Sequence, residues 1–308
     1  MDHSLDGLAI FQPDPLDADV PLAPPPEASD PARALDAVAY LRGVTLAGGT
    51  GDAIPSGFPS IDALLGGGLR RGDLTVLTGD VGSGKSALAL GIALRAAAGG
   101  RSTACFSGES SAERLHERAL AMQGRLRIED IRHGRLDDAA HAAAAAAALR
   151  MRHRPTLLAH LPPNGVGGLS DLLVEHLGLD LLVVDPLQAL ALGHRPLAEE
   201  LAQGVRDLKT LAVRRHCAVL LVAHLEVALH ERPDPRPRLA DLGALGALRQ
   251  LPDVVLALHR DELHRPSRDV DGAAELHVLK QRDGGTGYAD LYFHKAWLRF
   301  EDLVDPDR

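Results

Sequence analysis

The sequence predicts an α/β protein with a mostly parallel, twisted sheet flanked by helices and an antiparallel C-terminal edge. From about residue 55 onward, short apolar runs alternate with helical stretches, which is typical of a parallel sheet covered on both faces. A glycine-rich turn joins the run at 74–77 to a helical stretch that begins near Lys85. The last runs are connected through Gly284-Gly285 and Gly287, which indicates an antiparallel meander.

Apolar runs predict the strands, and longer stretches predict the helices. The predicted strands are 74–78, 103–107, 156–160, 180–184, 217–223, 253–258, 274–280 and 289–294. The predicted helices are 85–97, 110–122, 138–152, 169–177, 198–214 and 244–250. The alanine run at 142–148 is an excellent helix former, so we expect it in a surface helix.

Residues 1–54 differ in composition from residues 55–308, which are predicted to form the main domain. The first thirty or so residues are rich in Pro and Asp, so we expect a disordered tail. A short linker helix is predicted over about 31–42, because Asp30 and Pro31 suit a helix start and apolar residues follow at three-residue spacing. Such a helix is marginal alone, so we expect it to dock on its own domain or on a neighbouring subunit.

Composition excludes several classes of protein. The net charge of −9 is not that of a protein that coats nucleic acid through general basicity. No apolar run reaches the roughly 18 residues that a membrane helix needs, and the acidic N-terminus is no signal peptide, so we expect a cytoplasmic protein without membrane contact. Cys105 and Cys217 lie in apolar runs and are expected to be buried thiols. His259 and His264 form no metalloprotease motif and are expected on the solvated surface.

The stretch 79–86 reads G-x-x-x-x-G-K-S, which is the P-loop pattern. In such a turn the backbone N–H groups and the positive end of the following helix bind phosphates. Lys85 is predicted to reach the β- and γ-phosphates of a nucleoside triphosphate, and Ser86 is predicted to ligate Mg²⁺. The other residues predicted to bind the nucleotide are Gly79, Asp80, Val81, Gly82, Ser83 and Gly84.

Three polar residues follow other apolar runs, at the edge where open α/β sheets bind ligands. Asp185 is a candidate Mg²⁺ ligand, or else an aspartate that only ends a strand. Glu109 is a candidate for polarising the attacking water, or else a favourable negative charge at a helix start. His224 is a candidate partner of the γ-phosphate, or else a satisfied core histidine.

Lys280 and Arg282 close a predicted strand before the turn at Asp283. An arginine from a neighbouring subunit can stabilise the charge of phosphoryl transfer, so both cations are candidates for catalysis. The alternative is a solvated pair on an edge strand.

In this order, the segments resemble the C-terminal ATPase domain of DnaB-type replicative helicases, over about Ser56 to Phe300. Apart from the P-loop, the resemblance rests on Phe106-Ser107-Gly108-Glu109-Ser110-Ser111, Val184-Asp185-Pro186-Leu187-Gln188, Leu208-Lys209-Thr210-Leu211-Ala212, Lys280-Gln281-Arg282-Asp283-Gly284 and Trp297-Leu298-Arg299-Phe300. The family's form of the first of these segments is Phe-Ser-Leu-Glu-Met-Ser.

The resemblance implies a RecA-like fold and an ATP-hydrolysing DNA helicase or translocase of DNA replication, acting as a hexameric ring of identical subunits. It implies that Glu109 is the catalytic glutamate, that Arg282 is an arginine finger acting in trans with Lys280 beside it, and that His224 takes the place of the γ-phosphate sensor.

Two departures from the family pattern bear on DNA binding and partners. The family's helical N-terminal domain, which forms a collar and recruits primase, is expected to be missing, because only about fifty residues stand in its place. The family's DNA-contacting loop reads Asp-Leu-Arg-Glu-Ser-Gly, and here Gly243 and Ala244 replace the Arg and Glu. Because Lys and Arg contacts dominate affinity for nucleic acid, single-stranded DNA binding is expected to be weakened.

Two alternatives stay open. One is a RecA-like ATP-binding regulatory protein that does not unwind DNA. The other is a RadA-like recombination ATPase, whose strand Ser-Gly-Glu-Glu-Ser is similar to Ser107-Gly108-Glu109-Ser110.

Overall fold

The computed structural model describes residues 37–47, 51–153, 156–176, 178–265 and 270–303. The predicted tail and the predicted helix start at Asp30 lie outside the described residues. Helix α1 spans Ala37–Ala47 and so continues past its predicted end at residue 42. Gly43 is tolerated inside this helix, at a cost of about 1 kcal/mol relative to alanine.

The remaining elements alternate along the chain as the sequence predicts. The strands are β1 (Ala53–Ile54), β2 (Leu69–Arg70), β3 (Leu74–Gly79), β4 (Thr103–Ser107), β5 (Thr156–His160), β6 (Leu181–Asp185), β7 (Ala218–Val222), β8 (Val254–His259), β9 (Ala273–Gln281), β10 (Gly287–His294) and β11 (Arg299–Asp302). The helices are α2 (Pro59–Leu64), α3 (Lys85–Ala98), α4 (Ala112–Gly124), α5 (Ile128–Arg132), α6 (Asp138–His153), α7 (Gly165–Leu172), α8 (Leu197–Arg215) and α9 (Ala247–Gln250).

The main sheet confirms the predicted α/β class with an antiparallel edge. Strands β5, β4, β6, β7, β3 and β8 lie side by side in that order and pair in parallel. Strands β9, β10 and β11 then continue the sheet in antiparallel pairing. All parallel strands therefore end at one edge of the sheet, which carries the residues that follow β3, β4, β6 and β7.

Two apolar layers cover the two faces of the sheet. The central strands β3, β6 and β7 are buried along their whole length, because successive side chains enter opposite layers. One layer packs the sheet against α3 and α4, through residues such as Leu77, Val183, Leu88, Ile92 and Leu115. The other packs it against α7 and α8, through residues such as Val76, Val184, Leu169, Val205 and Leu208.

Several short elements differ from the predictions. The predicted helix 169–177 is α7 followed by a 3-10 turn at Leu173–Glu175, and the predicted helix 244–250 is a 3-10 turn at Ala244–Gly246 followed by α9. The pattern did not reveal β1, β2, α2, α5 or β11, because each is too short to show a periodicity. As predicted, the alanine-rich α6 lies on the surface, with Ala147 as its buried residue, and both cysteines are buried thiols.

Candidate active site

The P-loop lies between β3 and α3, at the carboxyl edge of the sheet. Gly79 must be glycine, because a Cβ there would lie 2.3 Å from the Leu258 carbonyl oxygen. Gly84 adopts a φ of +98°, and a Cβ there would lie 2.9 Å from the ring of Phe300. The Lys85 ammonium is buried and donates to the carbonyls of Gly79 (2.9 Å) and Asp80 (2.8 Å), so it lies inside the turn that it is predicted to serve.

Burial lowers the pKa of Lys85, whereas the carboxylates of Asp185, Asp80 and Glu109 oppose that shift. Burial of an ammonium is costly unless anions pair with it, and these three carboxylates supply that pairing. Lys85 is therefore held as a cation at the P-loop.

Asp185 ends β6 and is buried beside the P-loop. Burial raises the pKa of its carboxyl group, while a hydrogen bond with the Ser86 side chain lowers it. Its Oδ1 atom is buried and has no hydrogen-bond partner among the described residues. A carboxylate oxygen without a partner next to a hydroxyl is a donor set that suits Mg²⁺, so the residues present fit this ion.

The loop after β4 presents Glu109 to the same site. The Ser107 hydroxyl accepts the N–H groups of Glu109 (3.3 Å) and Ser110 (3.0 Å), and the Gly108 N–H donates to the Asp185 carbonyl at 2.8 Å. A Cβ at Gly108 would lie 2.1 Å from the Cβ of Ala189, so the leucine of the family pattern does not fit here. The Glu109 side chain itself is 58% exposed, which leaves it accessible to water.

His224 follows β7 and approaches Glu109. Its Nε2 atom lies 3.8 Å from Oε1 of Glu109. Its backbone N–H donates to Oε1 of Gln188 at 3.3 Å, and the Thr78 hydroxyl donates to the carbonyl of neighbouring Ala223 at 3.0 Å. His224 is not a core histidine, because its side chain is 41% exposed.

These residues surround one cavity of about 690 Å³. Sequence reasoning did not assign several of its lining residues to the site, among them Arg118, Arg132, Phe293 and Leu298. Arg132 pairs with Glu117 at 3.0 Å, whereas Arg118 is half-buried and forms no ion pair or hydrogen bond within the described part of the chain.

A signal for Arg118 is present in the sequence. Leu115, Ala119 and Met122 form the buried stripe of α4, and Arg118 falls on that stripe at helical spacing. A charged residue on an apolar stripe is exceptional, since burial of an unpaired charge is costly.

Lys280 and Arg282 are not brought to this cavity. Strand β9 pairs Gln281 with Val254 and Glu275 with His259, so both cations lie at the opposite edge of the sheet. At about 3.3 Å per residue, the six residues of β3 separate the two edges by roughly 17 Å. Within one protomer, Arg282 therefore does not reach its own P-loop.

The carboxylate of Glu226 lies against the loop 241–246, which stands where the family pattern has its DNA-contacting segment. Ala244, Leu245 and Gly246 all have positive φ values. The Ala244 N–H donates to Oε1 of Glu226 at 3.3 Å. A Cβ at Gly243 would lie 1.9 Å from the carboxyl carbon of Glu226, so this carboxylate fills the space in which a larger side chain would stand.

The prediction that His259 and His264 are solvated is wrong. His259 ends the central strand β8 and is 2% exposed, because β3 and β9 flank that strand. The ring of His264 stacks on it at 5.5 Å and lies 3.4 Å from the Asp80 carboxylate. Between them in sequence, buried Arg260 donates to the Gly82 carbonyl at 3.1 Å, so this segment supports the P-loop from behind.

Fold and site together define the class of protein: a RecA-type α/β domain in which a P-loop, Asp185, Glu109 and His224 surround one cavity. Within that class, the chain belongs to the family described as DnaB-like helicase C terminal domain, whose model matches residues 53–302.

Known proteins resemble this chain over most of its length. The replicative DNA helicase DnaB of Geobacillus stearothermophilus is 28% identical over 257 residues, covering 81% of this chain and 56% of that protein. The DnaB of Buchnera aphidicola subsp. Baizongia pistaciae is 30% identical over 248 residues, covering 77% and 53%. The chain thus spans about half the length of the curated relatives it matches.

Solved structures show the same fold. One solved ATPase domain superposes with a TM-score of 0.80 at 23% identity, covering 87% of this chain and 97% of that one. A DnaB-like replicative helicase studied with primase superposes with a TM-score of 0.78 at 22% identity, covering 87% and 66%. No described helix is long and apolar enough to cross a membrane.

Proposed function

We propose that this chain is the motor domain of a DnaB-like DNA helicase or translocase, which hydrolyses Mg-ATP at the subunit interfaces of a homo-oligomeric, hexameric ring. The observation that carries the proposal is the convergence of Lys85, Ser86, Asp185, Glu109 and His224 on one cavity. These residues come from the ends of four adjacent strands or the turns after them, which is the expected place for a ligand in an open α/β sheet.

The P-loop would hold the triphosphate. Its N–H groups and the ammonium of Lys85 would bind the β- and γ-phosphates, once Lys85 exchanges its two carbonyl partners for phosphate oxygens. Ser86 and Asp185 would hold Mg²⁺, which neutralises charge that develops on the phosphates.

Glu109 would orient and deprotonate the attacking water. It is the exposed carboxylate of the cavity, whereas Asp185 is buried and raised in pKa, so the two carboxylates suit different tasks. His224, 3.8 Å from Glu109, would sense the γ-phosphate and couple its presence to β7.

The ring is supported by the position of Arg282 at the edge of the sheet away from its own cavity. An arginine so placed would serve the nucleotide of the next subunit. Helix α1, whose Leu41 and Leu46 are exposed, would dock on a neighbouring copy as the linker helix.

ATP turnover tests the catalytic assignment, with oligomer mass measured in parallel. Lys85→Ala is expected to abolish ATP binding, and Glu109→Gln to abolish turnover while ATP still binds. Arg282→Ala subunits mixed with Glu109→Gln subunits are expected to regain activity, since each type supplies what the other lacks. Wild-type turnover by Glu109→Gln contradicts the assignment of the base, and an unrescued mixture contradicts action in trans.

A regulatory ATPase without unwinding activity is the second candidate, and the carboxylate of Glu226 beside a loop without cations favours it. A RadA-like role is not favoured, because the matched relatives are replicative helicases. Strand separation on a forked duplex and stimulation of ATPase by single-stranded DNA distinguish the two: absence of both supports the regulatory protein.

A further inference from the structure

The side chain of His264 is buried beside the P-loop without a hydrogen bond. It is 7% exposed, and neither ring nitrogen has a hydrogen-bond partner within the part of the chain that the structure describes. A buried polar group without a partner is costly, so this ring indicates a second state in which it gains one. None of the catalytic steps proposed above uses His264.

The Asp80 carboxylate is the charged group next to this ring. Its Oδ2 lies 3.4 Å from Nε2 of His264, and its Oδ1 accepts the Val81 N–H at 2.7 Å. The Asp80 carbonyl accepts the Lys85 ammonium at 2.8 Å, and Asp80 lines the nucleotide cavity. The carboxylate thus lies against the phosphate-binding turn. A neutral imidazole has one N–H donor, whereas an imidazolium has two donors and a charge to match this carboxylate.

Charged groups around the stacked rings of His259 and His264 are mostly paired with each other. The carboxylates outside these pairs are those of Asp80, beside His264, and of Asp261, whose Oδ1 lies 3.8 Å from Nε2 of His259. The ion pairs are Arg260 with Glu262, and Arg236 with Glu275 at 2.6 Å.

His259 is the less suitable proton acceptor of the two rings. Burial lowers the pKa of His259, and the Arg236 guanidinium lowers it further. The carboxylates of Glu275 and Asp261 oppose this shift without cancelling it. A proton taken up by the stacked pair therefore goes to His264, which also has its carboxylate at closer range.

We propose that His264 is a positioning residue for Asp80, and that protonation of its ring strengthens the binding of a nucleoside triphosphate to the P-loop. The imidazolium would hold the Asp80 carboxylate and cancel its charge, which otherwise repels phosphates in the same cavity. By linkage, the triphosphate in turn favours protonation of His264, so binding takes up protons. The inference rests on the proposed function only in that the P-loop binds a triphosphate.

Nucleotide affinity as a function of pH tests this inference with the full chain. The Kd for a non-hydrolysable ATP analogue with Mg²⁺ is measured between about pH 5 and about pH 8, the range in which histidine ordinarily changes its charge. His264→Phe is compared with the native chain and with His141→Phe, a control at an exposed histidine of α6. The ratio of the His264→Phe Kd to the native Kd is expected to rise about three- to tenfold toward acidic pH, as for a partly exposed ion pair. The analogue's own phosphates titrate alike in all three chains, so this ratio isolates the protein group.

Asp80→Asn provides the second half of a double-mutant cycle. An amide has no charge for His264 to cancel, so in this background His264→Phe is expected to change the Kd by less than about twofold at every pH. If His264→Phe weakens binding by the same factor at every pH, the ring acts through packing and the inference is refuted. An effect of His264 that persists without the Asp80 carboxylate refutes it as well.

Calorimetry provides an independent measurement if His264→Phe does not fold. Binding heats of the native chain and of His264→Gln, in two buffers of different ionisation enthalpy, give the protons taken up with the analogue. The native chain is expected to take up more protons than His264→Gln, and equal uptake overturns the inference. If no chain binds the analogue at any pH, the proposed nucleotide site fails, and this inference with it. If all chains bind it with the same pH profile, only this inference fails.

Discussion

The position of the Glu226 carboxylate predicts that this residue weakens the binding of single-stranded DNA. It accepts the Ala244 N–H in the loop that replaces the family's DNA-contacting segment. A DNA phosphate that took over this N–H would lie about 4 Å from the carboxylate, and two like charges at that distance repel by about 1 kcal/mol in water. Since Glu226 is exposed, the value for water is the appropriate one.

Glu226→Gln is therefore expected to tighten binding of single-stranded DNA about fivefold. The gain is expected to shrink as salt rises from about 0.05 to about 0.3 M, because the Debye length falls through about 10 Å near 0.1 M. The assay is fluorescence anisotropy of a labelled oligonucleotide, with a non-hydrolysable ATP analogue present.

Glu231→Gln is the matched control, since Glu231 is an exposed glutamate of the 3-10 turn at Leu229–Glu231 and lacks a hydrogen bond to the described loop. If the two variants change the dissociation constant equally at every salt concentration, a general charge effect explains the result. The reasoning about Glu226 is then refuted.

Three further predictions concern stability and the nucleotide site. Phe300→Ala is expected to destabilise the fold by about 3–5 kcal/mol, since Phe300 is 2% exposed and packs against Phe293. The control Tyr288→Ala is expected to cost far less, because Tyr288 is 45% exposed. Equal shifts of the thermal midpoint in the two variants would contradict this prediction. Lys85→Met is expected to raise the Kd for ATP more than about tenfold. The thermal midpoint of the ligand-free protein is expected to stay the same or rise, because burial of the Lys85 ammonium is costly. A lower thermal midpoint would show that Lys85 stabilises the fold. Hydrogen bonds from backbone N–H groups, with that of Gly193 the largest cause, lower the pKa of Glu200 from 4.5 to about 2. The contribution of Glu200 to stability is therefore complete above pH 4.5 and declines as the pH falls toward 2, so Glu200→Gln is expected to lower the thermal midpoint at pH 7 and to match the native chain near pH 2. A difference in thermal midpoint that stays the same at both pH values would refute this pH dependence.

The central strands were predictable because they are buried. The run 103–107 coincides with β4, which lies between β5 and β6 and is buried along its whole length, since a buried parallel strand needs an unbroken apolar stretch bounded by polar residues. The same logic placed Asp185 and His224 at one edge, because parallel strands end together. Strand ends do not predict which helix residues line the cavity. Arg118 reaches the cavity from α4, and the position of a helix face relative to a cavity depends on packing.

The histidines show where local reasoning fails. His259 looks like a polar residue at a strand end, and such residues are often solvated. Its burial follows from the position of β8 between β3 and β9, which is a property of strand order. Likewise, the Lys280 ammonium donates to the carbonyls of Arg249, Gln250 and Pro252, and these contacts form only because α9 ends beside β9.

The contact between Phe300 and the P-loop has a consequence for synthesis of the protein. Phe300 packs beneath Gly84, and Phe293 and Leu298 line the cavity, although roughly two hundred residues separate them from the P-loop in the chain. At roughly 5–20 residues per second, a ribosome needs about 10 to 40 seconds to cover that distance. During that interval the nascent chain carries a P-loop that lacks its contact with Phe300. A complete nucleotide cavity would therefore form only after β11 has left the ribosome.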